Sequence, residues 1–163
     1  MNERQKTGLI NKRVGAHLEH IIEMTCDYYR RKGIAHLEKT PEPLKPIRAM
    51  HNGQFIAVFT KTAQPDFKGT LKDGRSCCFE AKHSDSDRIL QNRITPEQWE
   101  SLDLHERLGA ETFVVVGLGW GNFYKVPWGT WKGMKEFFGH KYMNEEELER
   151  FRIEYRDGIL KML

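Results

Sequence analysis

The sequence predicts an α/β fold in which a mixed β-sheet is flanked by helices. Three observations carry this reading. A helix-period segment opens the chain, strand-like runs follow around Asn-Gly and Asp-Gly turns, and an apolar β-branched run lies beyond a second helix signal. With 163 residues, the chain is expected to form a single domain, 1–163, with a core of its own.

The first helix is expected from about Val14 to Arg31. Leu18, Ile21, Ile22, Thr25, Tyr28 and Tyr29 recur at helical spacing, and Gly33 stands where a helix-terminating glycine belongs. A strand is expected at Ile34–Lys39. The three prolines of Thr40–Pro46 are expected to break regular structure, because they cannot donate ladder hydrogen bonds. Asn52-Gly53 separates two further strand-like runs, Ile47–Met50 and Gln54–Thr60, and Asp73-Gly74 marks a second hairpin. After a polar loop, Thr95-Pro96-Glu97-Gln98 reads as a capping box opening a helix that runs to about Leu108. Thr112–Leu118 suits a strand buried on both faces. Trp120-Gly121-Asn122 turns the chain into Phe123–Val126. Two helical segments are expected after that, one near Trp128–Phe138 and one beginning at the N-cap Asn144.

Composition narrows the class. Hydrophobic residues make up 39% and charged residues 30%, as in a soluble globular protein. No apolar run has the length of a membrane span, and the opening residues lack a signal-peptide core, so a cytoplasmic protein without membrane contact is expected. Cys26, Cys77 and Cys78 are odd in number and two are adjacent, which argues against a disulfide framework. The net charge is only +3, but residues 1–60 hold ten Lys/Arg against six Asp/Glu. Arg4, Lys12 and Arg13 make residues 1–13 a basic arm suited to phosphates, although a solvated terminus reads the same way.

The chemistry gathers around one hairpin. Pro65-Asp66 opens one arm, and Glu80-Ala81-Lys82 lies on the other. Alternation along a strand puts Glu80 and Lys82 on one face, and folding at Asp73-Gly74 brings Asp66 toward them. Two carboxylates can hold Mg²⁺, a hard cation that takes oxygen ligands and keeps several waters. Such an ion, or Mn²⁺ in its place, polarises a phosphate and acidifies a bound water, and a lysine beside it offsets charge in the transition state. His17 and His20 share a helix face without a third ligand and read as surface residues.

The ordered motifs resemble the RecU family of the restriction-endonuclease-like Pro-Asp…Asp/Glu-x-Lys nucleases. They are Gly15-Ala-His-Leu-Glu19 with Thr25 and Tyr28-Tyr29, Lys39-Thr-Pro41-Glu-Pro43, Gln64-Pro-Asp66-Phe-Lys-Gly69, Phe79-Glu80-Ala81-Lys82, Gln98, and Lys141-Tyr-Met143. This chain departs from the family pattern at Gln64, where a Thr is usual, and at Phe67, where a Tyr is usual. The resemblance implies a restriction-endonuclease-like fold and a homodimer that resolves four-way DNA junctions by paired symmetric nicks, in a bacterial or phage setting. It implies Asp66, Glu80 and Gln98 as metal-site residues, with Gln64 as a further ligand through its carbonyl. Lys82 becomes the transition-state stabiliser and Glu19 a first-helix carboxylate facing the site. Residues 46–64 become a hairpin stalk, so that Lys45, Arg48 and Lys61, together with Lys68, join Arg4, Lys12 and Arg13 as DNA contacts. Two other readings stand beside this one: the same fold acting on other branched or duplex DNA, and a non-catalytic DNA-binding recombination module.

Overall fold

Each strongly patterned segment takes a regular element in the computed structural model, which describes residues 3–60 and 64–163, with side chains from residue 15 onward apart from residue 59. The opening helix α1 spans Glu3–Lys32 and stops at Gly33, whose φ of 66° needs no side chain. It begins well before Val14, so the backbone expected as an arm is helical from Glu3. Strand β1 (Ala35–Lys39) follows, then β2 (Leu44–Ala49) and β3 (Phe55–Phe59). Strands β4 (Phe67–Leu71), β5 (Ser76–Ser84) and β6 (Arg88–Leu90) lead to helix α2 (Pro96–Arg107). Then come β7 (Glu111–Leu118), β8 (Asn122–Pro127), and the short helices α3 (Trp128–Lys132) and α4 (Met134–Phe138). Strand β9 (Tyr142–Asn144), helix α5 (Glu145–Leu148) and the pair β10 (Tyr155–Arg156) and β11 (Ile159–Leu160) complete the chain.

The main sheet has the order β1-β4-β5-β7-β8, with β5 and β7 parallel and the other pairs antiparallel. It is the mixed sheet between helices that the sequence predicts. The parallel pair needs a long crossover, and α2 supplies it. Cys77 and Cys78 fall on opposite faces. Cys77 joins the core under α1, with Leu18, Ile22, Phe79 and Phe113. Cys78 joins the core of Leu102, Val114, Trp128 and Trp131. Phe67, Phe79 and Phe113 stack across three neighbouring strands at centroid separations of 5.0 and 4.6 Å. At Gly69 the backbone of β1 comes so close that a Cβ would lie 1.8 Å from the His36 carbonyl oxygen.

Strands β2 and β3 form their own two-stranded sheet, apart from the main one. Asn52 and Gly53 take φ of 62° and 75° at its tip, as an Asn-Gly hairpin requires. The prolines do not break this strand as expected. β2 starts at Leu44 and takes in Pro46, where the register slips before Arg48, a position that tolerates a missing N–H.

Three further expectations need correction. The segment 128–138 is two helices joined at Gly133 rather than one. The helix after Asn144 lasts four residues before tightening into a 3₁₀ turn. The polar loop after His83 contains β6, which pairs with β9. The hairpin β10–β11 has no counterpart among the sequence expectations, although Asp157-Gly158, with φ of 53° and 82°, repeats the Asp-Gly dipeptide of Asp73-Gly74.

Candidate metal centre

Strands β4 and β5 pair up to Phe67 and Phe79. One step further along that register, Asp66 meets Glu80, where β4 is just beginning. The Asp66 carboxylate takes the place of a ladder acceptor: its Oδ2 receives the Ala81 N–H at 3.0 Å. That bond fixes a half-buried carboxylate against the strand that carries the second one. Glu80 itself is fully buried. Its Oε2 accepts from Lys82 Nζ at 2.7 Å and from Gln98 Nε2 at 2.6 Å. Lys82 Nζ lies 3.6 Å from Asp66 Oδ2, so one ammonium spans both acids.

Gln98 is held by the helix it starts. Its Oε1 accepts from the Thr95 N–H, and its own N–H donates to Thr95 Oγ1. With the oxygen engaged by a donor and the nitrogen facing a carboxylate, the amide has one consistent orientation. The capping box and the site contact, which the sequence offers as competing readings, coexist in one side chain.

The electrostatics are unbalanced. Burial pushes the Glu80 carboxyl up to about 8; Lys82 pulls it down, while the nearby Asp66 carboxyl pushes it further up. Glu80 Oε1 is buried without a hydrogen-bond partner among the described residues. A buried acceptor of this kind is costly unless something positive meets it. Two adjacent carboxylates and an unmet oxygen fit a hard divalent cation such as Mg²⁺ or Mn²⁺. Asp66 and Glu80 would hold it. No cluster of three or more His, Cys, Asp or Glu suited to a metal exists among the described residues. Further ligands would be oxygens from water, phosphate or an amide such as that of Gln98.

The structure thus gathers Asp66, Glu80, Lys82 and Gln98. Glu19 approaches from α1 and lines the same cleft as Lys82, a space of about 730 Å³ bordered also by Ser84 and Arg93. Its carboxylate is engaged by Lys39 at 2.8 Å, and Lys39 also reaches Glu23 at 3.0 Å. The Gln64 carbonyl oxygen accepts from Lys68 Nζ at 2.9 Å, which turns both residues toward each other. Lys45 and Arg48 stand exposed on β2. The side chains of Arg4, Lys12 and Arg13, and Lys61 as a whole, lie outside the described residues. Sequence reasoning did not find the Ala81 N–H or Arg93. The first is backbone and leaves no residue signature; the second reaches the cleft by holding the His83 carbonyl.

Comparison with known proteins decides the family. The family model described as Recombination protein U matches residues 13–160. The chain belongs to the RecU family. A curated relative, the Holliday junction resolvase RecU of Bacillus pumilus, is 28% identical over 144 residues, covering 82% of this chain and 69% of that protein. Among solved structures, Hjc of Archaeoglobus fulgidus, described as a Holliday junction resolvase from an archaeal hyperthermophile, is similar at a TM-score of 0.49 and 12% identity. The match covers 83% of this chain and 92% of that one. Family membership and the Pro-Asp…Glu-x-Lys geometry agree on a restriction-endonuclease-like fold.

Proposed function

We propose that this RecU-family chain is a Mg²⁺-dependent endonuclease that resolves four-way DNA junctions as a homodimer. The observation that carries the reading is the Asp66–Glu80–Lys82 group, in which a buried carboxylate oxygen has no partner. Bound there, the divalent ion would polarise the scissile phosphate and acidify a water. Asp66 and Glu80 would be its carboxylate ligands, the Glu80 carboxyl giving up its proton when the ion binds. Lys82, two residues along the strand from Glu80, sets its ammonium toward the phosphate and offsets charge on the pentavalent phosphorus. Gln98 keeps Glu80 in place. The attacking water forms a P–O bond as the bond to O3′ breaks; O3′ takes up a proton, leaving a 5′-phosphate and a 3′-hydroxyl.

Two such sites in a two-fold dimer match the near two-fold symmetry of a four-way junction, which accounts for paired nicks. The separate β2–β3 hairpin, with Lys45 and Arg48 exposed, serves as the stalk at the junction centre. Among the described residues no helix is long and apolar enough to cross a membrane.

The test is cleavage of a synthetic four-way junction with Mg²⁺, beside Glu80→Ala. The wild type should give symmetric paired nicks and the variant none. Absence of nicks from the wild type, or nicking of linear duplex at the same rate, sinks the proposal.

A further inference from the structure

One aromatic side chain stands apart from the groups already used. Trp120 is 77% exposed, while Trp128 and Trp131 are fully buried and Trp99 half-buried. It sits at the tip of the β7–β8 hairpin between Gly119 and Gly121, whose φ values of 52° and 93° set a tight turn that glycine takes without strain. An indole in water adds nothing to the core, so the fold does not account for its place there.

Its position relative to the catalytic strand is fixed. The Gly119 N–H donates to the Ser84 carbonyl at 2.9 Å, which ties the hairpin tip to the end of β5. Ser84 lies four residues beyond Glu80, about 13 Å along the strand. That span equals about four stacked nucleotides on one DNA strand. His17 of α1 supports the indole from one side, with ring centroids 6.0 Å apart and planes tilted by 44°. The hollow under the indole is lined by Leu18 and His83, which also line the catalytic cleft. An exposed, backbone-anchored indole thus stands over a hollow that shares the Leu18 and His83 wall with the cleft beside Lys82.

We infer that Trp120 is a stacking platform for an unpaired nucleobase of the DNA strand that enters the cleft. The inference rests on the nuclease reading above and deepens it. Every base offers a π-face, so such a platform does not depend on sequence. In intact duplex those faces are already stacked; they become available where strands exchange. Trp120 therefore favours branched DNA over linear duplex.

The experiment measures binding of a four-way junction and of a linear duplex of matched sequence, both in EDTA so that neither is cut. Wild type, Trp120→Ala and Trp120→Phe are compared. Trp120→Ala should weaken junction binding roughly tenfold and leave duplex binding within about twofold. Trp120→Phe should retain most of the affinity. Wild-type tryptophan emission should be quenched by the junction, and that quenching should vanish in both variants. Unchanged junction affinity overturns the inference, as does an equal loss on both DNAs. A shift of Trp120→Ala from dimer to monomer by light scattering also overturns it, because the indole would then be a contact between copies. A wild type that binds the junction but fails to cut it defeats the nuclease reading and leaves the binding comparison to be judged by itself.

Discussion

Glu80 carries the largest electrostatic tension of any single residue in the site. Its carboxyl titrates near 8 in the folded chain, against an ordinary value of 4.5. Between those values the folded state keeps a proton that the unfolded state has lost. Stability of the metal-free protein therefore falls as pH rises through that window, by roughly 1 kcal/mol per pH unit. Glu80→Gln should abolish cleavage and also flatten this slope, leaving the variant more stable than wild type at pH 8 in EDTA. Urea melts at pH 5, 6.5 and 8 would show it; equal slopes for the two proteins would refute it. The acid itself is legible from the Phe79-Glu80-Ala81-Lys82 motif, but its burial is not, because that depends on α2 closing over the strand. Tyr29 shows the same division. The sequence marks it as a helix-face aromatic. The structure shows its hydroxyl donating to the Leu160 carbonyl and accepting from the Met162 and Leu163 N–H groups. Tyr29→Phe leaves those groups unmet and should cost about 1–3 kcal/mol by denaturant midpoint, with Asp66, Glu80 and Lys82 untouched.

Among the elements, hairpins are the most readable because their turns need particular residues. Asn52-Gly53 and Asp73-Gly74 announce β2–β3 and β4–β5. Asp157-Gly158 escapes the same reading because strands of two residues carry no alternation to flank it. Pairings between segments distant in sequence, such as β6 with β9, leave no local trace. The β2–β3 hairpin is a sheet of its own and exposes Ile47, Met50 and Phe55. Apolar side chains left in water contribute little to folding. Replacing residues 45–58 with a short Gly-Ser link should therefore shift the melting temperature by only about 2 °C. Preference for a four-way junction over duplex should be lost in competition binding. A large fall in melting temperature would show that the hairpin belongs to the core.

At the scale of the whole molecule, a mixed sheet between helices is predictable because two strand types announce themselves differently. β7 is apolar and buried from Phe113 to Leu118, as suits a strand covered on both faces, while β4 and β5 carry the turn between them. Strand order is not readable, since it depends on which edges pair across long stretches of chain. Charge acts at this scale too. The basic excess at the N-terminal end predicts salt-sensitive DNA binding. Replacing Arg4, Lys12 and Arg13 together by Ala should reduce the slope of log affinity against log salt by about 1 for each phosphate that is no longer neutralised. An unchanged slope would remove these residues from the interface.

The link between Thr95 and Gln98 makes the head of α2 a gauge of what the carboxylates carry. If the Gln98 oxygen turns to a cation, the Thr95 amide loses its acceptor and the first helical turn loosens. Titrating Mg²⁺ while following the Thr95 amide resonance would then report occupancy from a residue that touches neither ion nor DNA.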